Sequence, residues 1–390
     1  MEFMGFRRED GSVGVRNHVA VIPSVFCANK VAERIAMQVE GAVALTHWLG
    51  CAQLGADLEL TVRVLRKLGS HPNVAALLVV GLGCERLKPT EFVEGVAPSG
   101  KPVELVHIQN MGGSVKTVQQ GVAITQMLAQ KAIAQPREPF DLKYLKVGLK
   151  CGGTDATSGL AANPAVGVMS DHLVAEGGTT FLTEINELLG TEHILCRRAV
   201  NPQVAAEIQQ TISDMERNLR ADTADPEFAH RHMLFSPGNM DGGVSSIVEK
   251  AMGGVYKSGN APVSGVVQYG DSPPGNGLYL LNSPSHDGEC VTAMVAAGAQ
   301  IVAFTTGRGN PCGFPIAPVI KITGNAGVYQ RQKDNIDIDT SSILTGEETI
   351  QEVGERIFRE VLDVANGKPT RAELMGHDEL FVIMRRRGRL

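Results

Sequence analysis

Leu145-Lys-Val-Gly-Leu-Lys150-Cys-Gly-Gly-Thr-Asp155-Ala-Thr-Ser-Gly159 runs from a short apolar segment through a glycine-rich turn towards a helical pattern that begins near Leu160. That order is strand, turn, helix. In α/β proteins such a turn lies at the carboxyl end of a strand, where backbone N–H groups and short polar side chains meet ligands. The turn carries a thiol, two threonines, a serine and a carboxylate. A tight turn with Asp155 or Ser158 capping the next helix is the plain alternative.

Working outward, the same alternation recurs on both sides. Residues 18–23, 42–46, 74–81 and 103–108 read as strands, with helical patterns at 28–39, 57–68 and 114–134. Val74-Ala-Ala-Leu-Leu-Val-Val-Gly81 is continuously apolar, as expected when helices cover both faces of a parallel sheet. Gln135-Pro-Arg-Glu-Pro-Phe-Asp141 has the composition of a linker. Beyond it, strands are expected at 146–149, 179–183, 264–269, 277–281, 300–304 and 317–322. Helices are expected at 202–219, 244–251, 289–297 and 349–365. The pattern predicts an α/β protein of two Rossmann-like open-sheet domains, 1–140 and 141–390, with right-handed crossovers. The stretches 223–243 and 307–340 exceed ordinary connections and read as active-site loops of the second, catalytic domain.

The 390 residues give room for sizeable cores, and a formal charge of −6 offers no field for nucleic acid or anionic membrane. The basic cluster at 385–389 reads as a solvated tail or a subunit contact. No apolar run is long enough to span a bilayer, and the N-terminus lacks a signal-like segment. Seven dispersed cysteines argue against a disulfide framework, which places the chain in the cytoplasm with its thiols free.

Cys51, Cys84 and Cys151 each follow a strand, so their thiols are expected on one side of a sheet, where a transition metal could be held with His47 or Glu85. Each could equally be a small buried hydrophobe. His47, just past a strand, is the foremost histidine candidate; His230 and His232 lie in a polar loop. Ser236-Pro-Gly-Asn239 opens a second glycine-rich turn suited to an anion. Arg308, between two glycines, is shaped for a carboxylate. Ser285-His-Asp287 precedes a helix, and Lys321 sits in a strand as a possible base or a solvent-facing residue. The nucleotide-binding GxGxxG and Walker patterns are absent from the sequence.

Several separate segments carry a resemblance: Gly5-Phe-Arg-Arg-Glu-Asp-Gly-Ser-Val-Gly-Val-Arg-Asn17, Thr46-His-Trp-Leu-Gly-Cys51, Gly81-Leu-Gly-Cys-Glu85 and Gly148 to Pro164. Ser236 to Asn239, Phe304-Thr-Thr-Gly-Arg-Gly309 and Gly367-Lys-Pro-Thr-Arg-Ala-Glu373 continue it. On these the chain resembles the large, catalytic part of the altronate/galactarate dehydratase family. The resemblance implies a metal-dependent hydro-lyase that converts a sugar acid or related hydroxy carboxylate to a 2-keto-3-deoxy acid. It implies Fe(2+), with Mn(2+) or an iron–sulfur cluster as alternatives. A small SAF-type domain precedes this region in one-chain members, so a separate small subunit is an expected partner, alongside self-association. A related branch removes sulfite from sulfolactate, and a non-catalytic binding subunit is the reading from another class. After Phe181 this chain has Leu182-Thr-Glu-Ile-Asn-Glu187 where sugar-acid enzymes carry Ser-Glu-Thr-Pro-Glu, which opens the question of substrate.

The chemistry implied is loss of a proton α to a carboxylate, then β-elimination through an enediolate. On this reading His47, Cys51, Cys84 and Cys151 hold the metal, with Glu85, His286 and Asp287 as an alternative shell. Lys150, Glu184 or His286 is the base. Arg308, Ser236 and Asn239 orient the carboxylate, and Thr154, Asp155 and Ser158 line the substrate.

Overall fold

Leu- and Val-rich runs without alternation can be buried only between two layers, and that is how they are used. In the computed structural model, which describes residues 1–222 and 236–385, every residue of the strand Val74–Gly81 except Ala75 is buried. This strand lies in a four-stranded parallel sheet ordered Ala42–Ala44, His18–Pro23, Val74–Gly81, Val103–His107. Val19, Val21, Leu78 and Val80 face the helices Asn29–Ala36 and Ser114–Ile133. Ala20, Ile22, Leu77 and Val79 face the helix Gly55–Gly69 on the other side.

The second sheet is also parallel throughout. Its seven strands run Val263–Val267, Gly277–Leu281, Thr179–Leu182, Lys146–Cys151, Ile301–Thr305, Val319–Thr323, Ile338–Asp339. One face packs on the helices Asn163–Ala175 and Ile350–Ala365. The other packs on the helix Asp287–Ala296, which also touches Gly55–Gly69, so one apolar core joins the facing sides of both sheets. The α/β expectation of two open sheets therefore holds.

In each sheet the chain winds one way and then the other. The reversal falls between His18–Pro23 and Val74–Gly81 in the first sheet, and between Lys146–Cys151 and Ile301–Thr305 in the second. Such reversals splay the loops apart at the carboxyl edge and leave a crevice for ligands.

Two segments differ from expectation. Residues 135–141, read as a linker, contain the strand Glu138–Asp141, which pairs antiparallel with Glu2–Arg7; Val13–Gly14 pairs on that strand's far side. An outer position tolerates Pro139, whose missing N–H would break an inner ladder. The stretch 307–340 is not one long loop. Beyond the strand Val319–Thr323 it forms the helix Ala326–Arg331, whose N-cap Asn325 accepts from Val328 N–H, and the short strand Ile338–Asp339.

Candidate active site

The turn after Lys146–Cys151 sits at the reversal of the second sheet. Gly152 N–H donates to the Thr305 carbonyl (3.0 Å) and Gly307 N–H to the Gly153 carbonyl (3.1 Å), joining the two loops that diverge there. The approach is close: a Cβ on Gly307 would lie 2.1 Å from Asp155 Cγ. The helix that follows opens with a π-helical turn, Ser158–Ala162, a form common beside functional sites.

Lys150 points inward from the strand. Its Nζ donates to Glu184 Oε1 (2.5 Å) and the Cys151 carbonyl (2.6 Å) and forms an ion pair with Asp287 Oδ1 (2.8 Å). Glu184 has φ +66°, a left-handed conformation that costs a non-glycine residue about 1–3 kcal/mol. The bend precedes the turn Ile185–Glu187, and both glutamates end up buried. Lys257 donates to Glu184 Oε2, and Lys250 pairs with Glu187 (2.8 Å). Cys151 Sγ lies 3.5 and 3.7 Å from the Glu184 oxygens and 3.8 Å from Glu187 Oε2.

The charges are matched ammonium for carboxylate: Lys150, Lys250 and Lys257 against Glu184, Glu187 and Asp287. Burial opposes ionisation of Glu184, but Lys150 and Lys257 outweigh it and hold its pKa at about 2. Lys150 is likewise desolvated, yet Glu184 and Asp287 keep it firmly protonated. Glu187 differs: burial, followed by repulsion from Glu184, raises its pKa despite Lys250. Burial and then the Glu184 charge push the Cys151 thiol up to about 11.

Of these groups, Cys151, Glu187, Lys250 and Asp287 line a cleft of about 370 Å³, while Lys150, Glu184 and Lys257 are buried in contact with them. His286, exposed, forms part of its wall, with Lys250, Glu187, Ser236 and Asn239 around it. Behind the cleft, Asn310 donates to Asp287 Oδ2 (2.9 Å) and offers its carbonyl to Lys321 Nζ at 3.4 Å. Lys321, left between a buried base and a surface residue by the sequence, is fully buried with Nζ 3.4 Å from the Phe304 ring centre, and burial lowers its pKa to about 7.

Of the residues expected to act, Lys150, Cys151, Glu184, Ser236, Asn239, His286 and Asp287 meet at or beneath this cleft. The expected metal quartet does not assemble. Among the described residues, the group of three such donors within 4.8 Å of one another is Cys151, Glu184 and Glu187, without His47, Cys51 or Cys84. His47 is buried, with Nε2 2.7 Å from the Pro23 carbonyl and Nδ1 accepting from Leu49 N–H, and burial lowers its pKa to about 4. Cys51 and Cys84 are exposed on the other sheet. Glu85, from the alternative shell, accepts from Ser24 Oγ and from the Leu82 and Gly83 N–H groups. Asp155 and Ser158 bond each other, with Thr157 and Asn325 on the same carboxylate, and so brace the turn. Buried Thr154 has no partner for its hydroxyl, while Arg308 is exposed with its Cβ over Gly153. His230 and His232, and the basic cluster beyond Arg385, lie outside the described residues.

The sequence reading missed Glu187, Lys250 and Lys257 as site residues. A signal existed for the lysines. They are seven residues apart on the helix Ile247–Lys257, hence on one face, and that face also carries the buried Ile247 and Ala251. A lysine on an apolar face needs a buried partner. As for a metal, the sulfur and carboxylate oxygens of Cys151, Glu184 and Glu187 are close enough to hold one ion. Because lysines already balance the carboxylates, a cation would enter with release of protons from the thiol and an ammonium.

Two parallel open sheets, with a charge-balanced Lys/Glu/Cys cluster beneath a cleft at the winding reversal of the second, define an α/β protein whose candidate site lies at a sheet's carboxyl edge. The chain belongs to the galactarate/altronate dehydratase family. Residues 5–133 match the family described as D-galactarate dehydratase/altronate hydrolase, second domain, and residues 142–387 match D-galactarate/altronate dehydratase, C-terminal. It is 37% identical to the (2R)-sulfolactate sulfo-lyase subunit beta of Chromohalobacter salexigens, over 98% of this chain and 97% of that one. It is 36% identical to an altronate dehydratase of Bacillus subtilis, over 97% of this chain and 77% of that protein. With a galactarate dehydratase (L-threo-forming) of Escherichia coli it shares 36% identity over 94% of this chain and 73% of that protein. The named dehydratases are carbon–oxygen lyases. Among the described residues no helix is long and apolar enough to cross a membrane.

Proposed function

We propose that the chain is a hydro-lyase that dehydrates a sugar acid or related hydroxy carboxylate to a 2-keto-3-deoxy acid, with 141–390 as its catalytic domain after 1–140. The observation that carries this is one cleft wall bearing an accessible imidazole, His286, beside a buried carboxyl with a raised pKa, Glu187, and an ammonium, Lys250. A base and an acid of different environment are what an elimination needs. Lys250, Ser236 and Asn239 anchor the substrate carboxylate. His286 takes the proton from C2, and the electron pair moves into the carboxylate to give an enediolate. Its collapse expels the C3 hydroxyl, which leaves as water with the Glu187 proton; the resulting enol becomes the 2-keto acid. Among the three candidate bases, Lys150 and Glu184 are locked in each other's charge and buried, so His286 is preferred on access.

A divalent ion, taken as iron(II), would be held by Cys151, Glu184 and Glu187 as thiolate and carboxylates and would then supply a Lewis acid for the departing oxygen in place of the Glu187 proton. A small partner subunit is proposed from the subunit name of the sulfo-lyase relative, and the cytoplasm from seven free cysteines. A second reading is β-elimination of sulfite from a hydroxylated sulfonate; the alignment over 97% of the sulfo-lyase subunit supports it.

The test is a panel of aldonates, aldarates and sulfolactate in D₂O, supplied with metal and the candidate small subunit and assayed for 2-keto acid and sulfite. Production of 2-keto acid is expected, with sulfite marking the second reading; neither product from any substrate overturns both. Glu187→Gln should keep C2 hydrogen exchange while losing elimination about 100- to 10,000-fold. His286→Asn should lose both, and wild-type exchange in that variant would remove His286 as the base.

A further inference from the structure

The candidate active site lies at a carboxyl edge. At the opposite end of the strands, the amino edges of the two sheets border a second cleft, of about 410 Å³. His71 and Pro72, just before the strand Val74–Gly81, form one wall. Lys146, which opens the strand Lys146–Cys151, and Gln300, just before Ile301–Thr305, form another. The helices Gly55–Gly69 and Asp287–Ala296 end beside it.

These walls are fixed by buried hydrogen bonds. The Gln300 side-chain carbonyl accepts from Lys146 N–H (2.6 Å), and its amide donates to the Val13 and Tyr144 carbonyls. His71 has Nε2 3.1 Å from the Ala299 carbonyl and accepts at Nδ1 from Asn73 N–H (3.1 Å). Buried polar groups satisfied in this way hold a surface in one shape.

The charges in this cleft do not balance. Lys67, Lys143 and Lys146 line it against one carboxylate, Asp10, whose Oδ1 already accepts from the Ser12 N–H and hydroxyl. Lys143 lies 3.5 Å from Asp141, and Lys67 donates to Ser272 Oγ (3.0 Å). Half-buried Lys146 has neither an ion pair nor a hydrogen bond at Nζ among the described residues. Burial, followed by repulsion from Lys67, lowers its pKa below the ordinary lysine value. Like charges gathered in a cavity, with no acid between them, mark a place where a ligand supplies the countercharge.

The plain alternative is that these lysines offset the negative ends of two helices. The last carbonyls of both helices already have donors. Ser70 N–H and Oγ donate to the Arg66 carbonyl, and His71 N–H donates to that of Leu68. The N–H groups of Ala297, Gly298 and Ala299 donate to the carbonyls of Ala293, Val295 and Met294. Lys146 Nζ stands 3.7 Å from where a Cβ on Gly298 would lie, beside that helix end without bonding to it.

We propose that the cleft binds a small dianion, a phosphate ester or a dicarboxylate, with Lys146 and Lys67 on its negative groups. An ammonium is a compact cation with three rotatable donors, suited to either kind of oxygen. Ser272 Oγ, which accepts from Lys67, keeps its own proton to donate to the same ligand. The volume falls in the range of small-molecule sites, about 300–1,000 Å³. Lys67 belongs to a helix on the first sheet and Lys146 to a strand of the second, so the bound dianion bridges the two sheets. The strand that Lys146 opens ends at Cys151, about 17 Å on, so this site and the candidate active site share one strand.

Calorimetric titration of the full chain with inorganic phosphate and with adipate, at constant ionic strength, tests this. One saturable site per chain is expected, with thermal unfolding rising as the anion is added. Saturation by phosphate alone assigns a phosphate ester, and by adipate alone a dicarboxylate. Lys146→Gln and Lys67→Gln should each weaken binding about 10-fold or more, whereas Lys333→Gln, at an exposed lysine outside the cleft, should leave it unchanged. On the unmutated protein, acetylation followed by mass spectrometry should find Lys146 and Lys67 protected by the anion. The proposal is overturned by no saturable binding of either anion, by unchanged affinity in both cleft variants, or by protection of Lys250 while Lys146 stays reactive.

Discussion

Glu184 concentrates the physics of the site in one residue. It adopts a backbone conformation that favours glycine, and its carboxylate is buried between Lys150 and Lys257. Removing one partner of a buried pair leaves the others uncompensated, at a cost of about 3–5 kcal/mol. Glu184→Gln should therefore lower the unfolding free energy by that order at neutral pH, measured by urea denaturation. The pH dependence has a definite sign. The folded pKa is depressed to about 2 from an ordinary 4.5, so the carboxylate's stabilisation is complete above pH 4.5 and lost as pH falls towards 2. The gap between wild type and Glu184→Gln should narrow over that window. A gap that stays constant from pH 5 to below 3 would mean the lysines are not the source.

At the scale of elements, the turn at the second sheet's reversal depends on glycine where two loops touch. Gly307→Ala would drive its Cβ into Asp155, whose carboxylate is held by Thr157, Ser158 and Asn325 and cannot swing away freely. Overpacking of this kind costs about 1–3 kcal/mol, so thermal unfolding should move down by several degrees and activity should fall with it. Gly159→Ala, with nothing within 4 Å of its Cβ, is the control and should stay within about 0.5 kcal/mol of wild type. Equal effects of the two would show that the close approach is not what constrains the turn.

These elements also show what a sequence can reveal. Val74–Gly81 was legible because burial on both faces writes itself as an unbroken apolar run, and Lys146–Cys151 because its short apolar centre, Val147-Gly-Leu149, leads into a glycine-rich turn. Glu138–Asp141 was not, since an outer strand with a proline and two acids has no such run, and its partner at Glu2–Arg7 is far away in sequence. The turn at Lys150 was legible as a site because its residues are local. Cys51, Cys84 and Cys151 each sit at or past a strand end, but a strand end does not say which sheet it belongs to: Cys51 and Cys84 follow strands of the first sheet, while Cys151 ends a strand of the second. Lys250 and Lys257 escaped notice because their partners, Glu187 and Glu184, come from a distant turn.

Across the whole molecule, Arg16 ties the two ends of the chain. Its guanidinium grips Glu373 with Nε at 2.7 Å and a terminal nitrogen at 2.9 Å, and also donates to the Val364 and Lys368 carbonyls. Glu373 in turn closes the capping box begun by Thr370. A lysine cannot reproduce the planar fork. Arg16→Lys should cost about 1.5–3 kcal/mol, and limited proteolysis should cut faster in the segment after Ala365. Unchanged cleavage and stability would demote the clamp to an ordinary surface contact.

The antiparallel ladder between Glu2–Arg7 and Glu138–Asp141 has a consequence in time rather than in space. A chain leaves the ribosome from its N-terminus, at roughly 5–20 residues per second. The first strand emerges with its edge unpaired and must wait until residue 141 is out before Glu2 can meet its partner. During those seconds the parallel sheet of 18–107 can collapse on its own helices, while an exposed strand edge is open to pairing with a neighbouring chain. The charges at Glu2, Arg7 and Arg8 make that edge a poor template for a stranger, so this strand can stay single until its intended mate arrives.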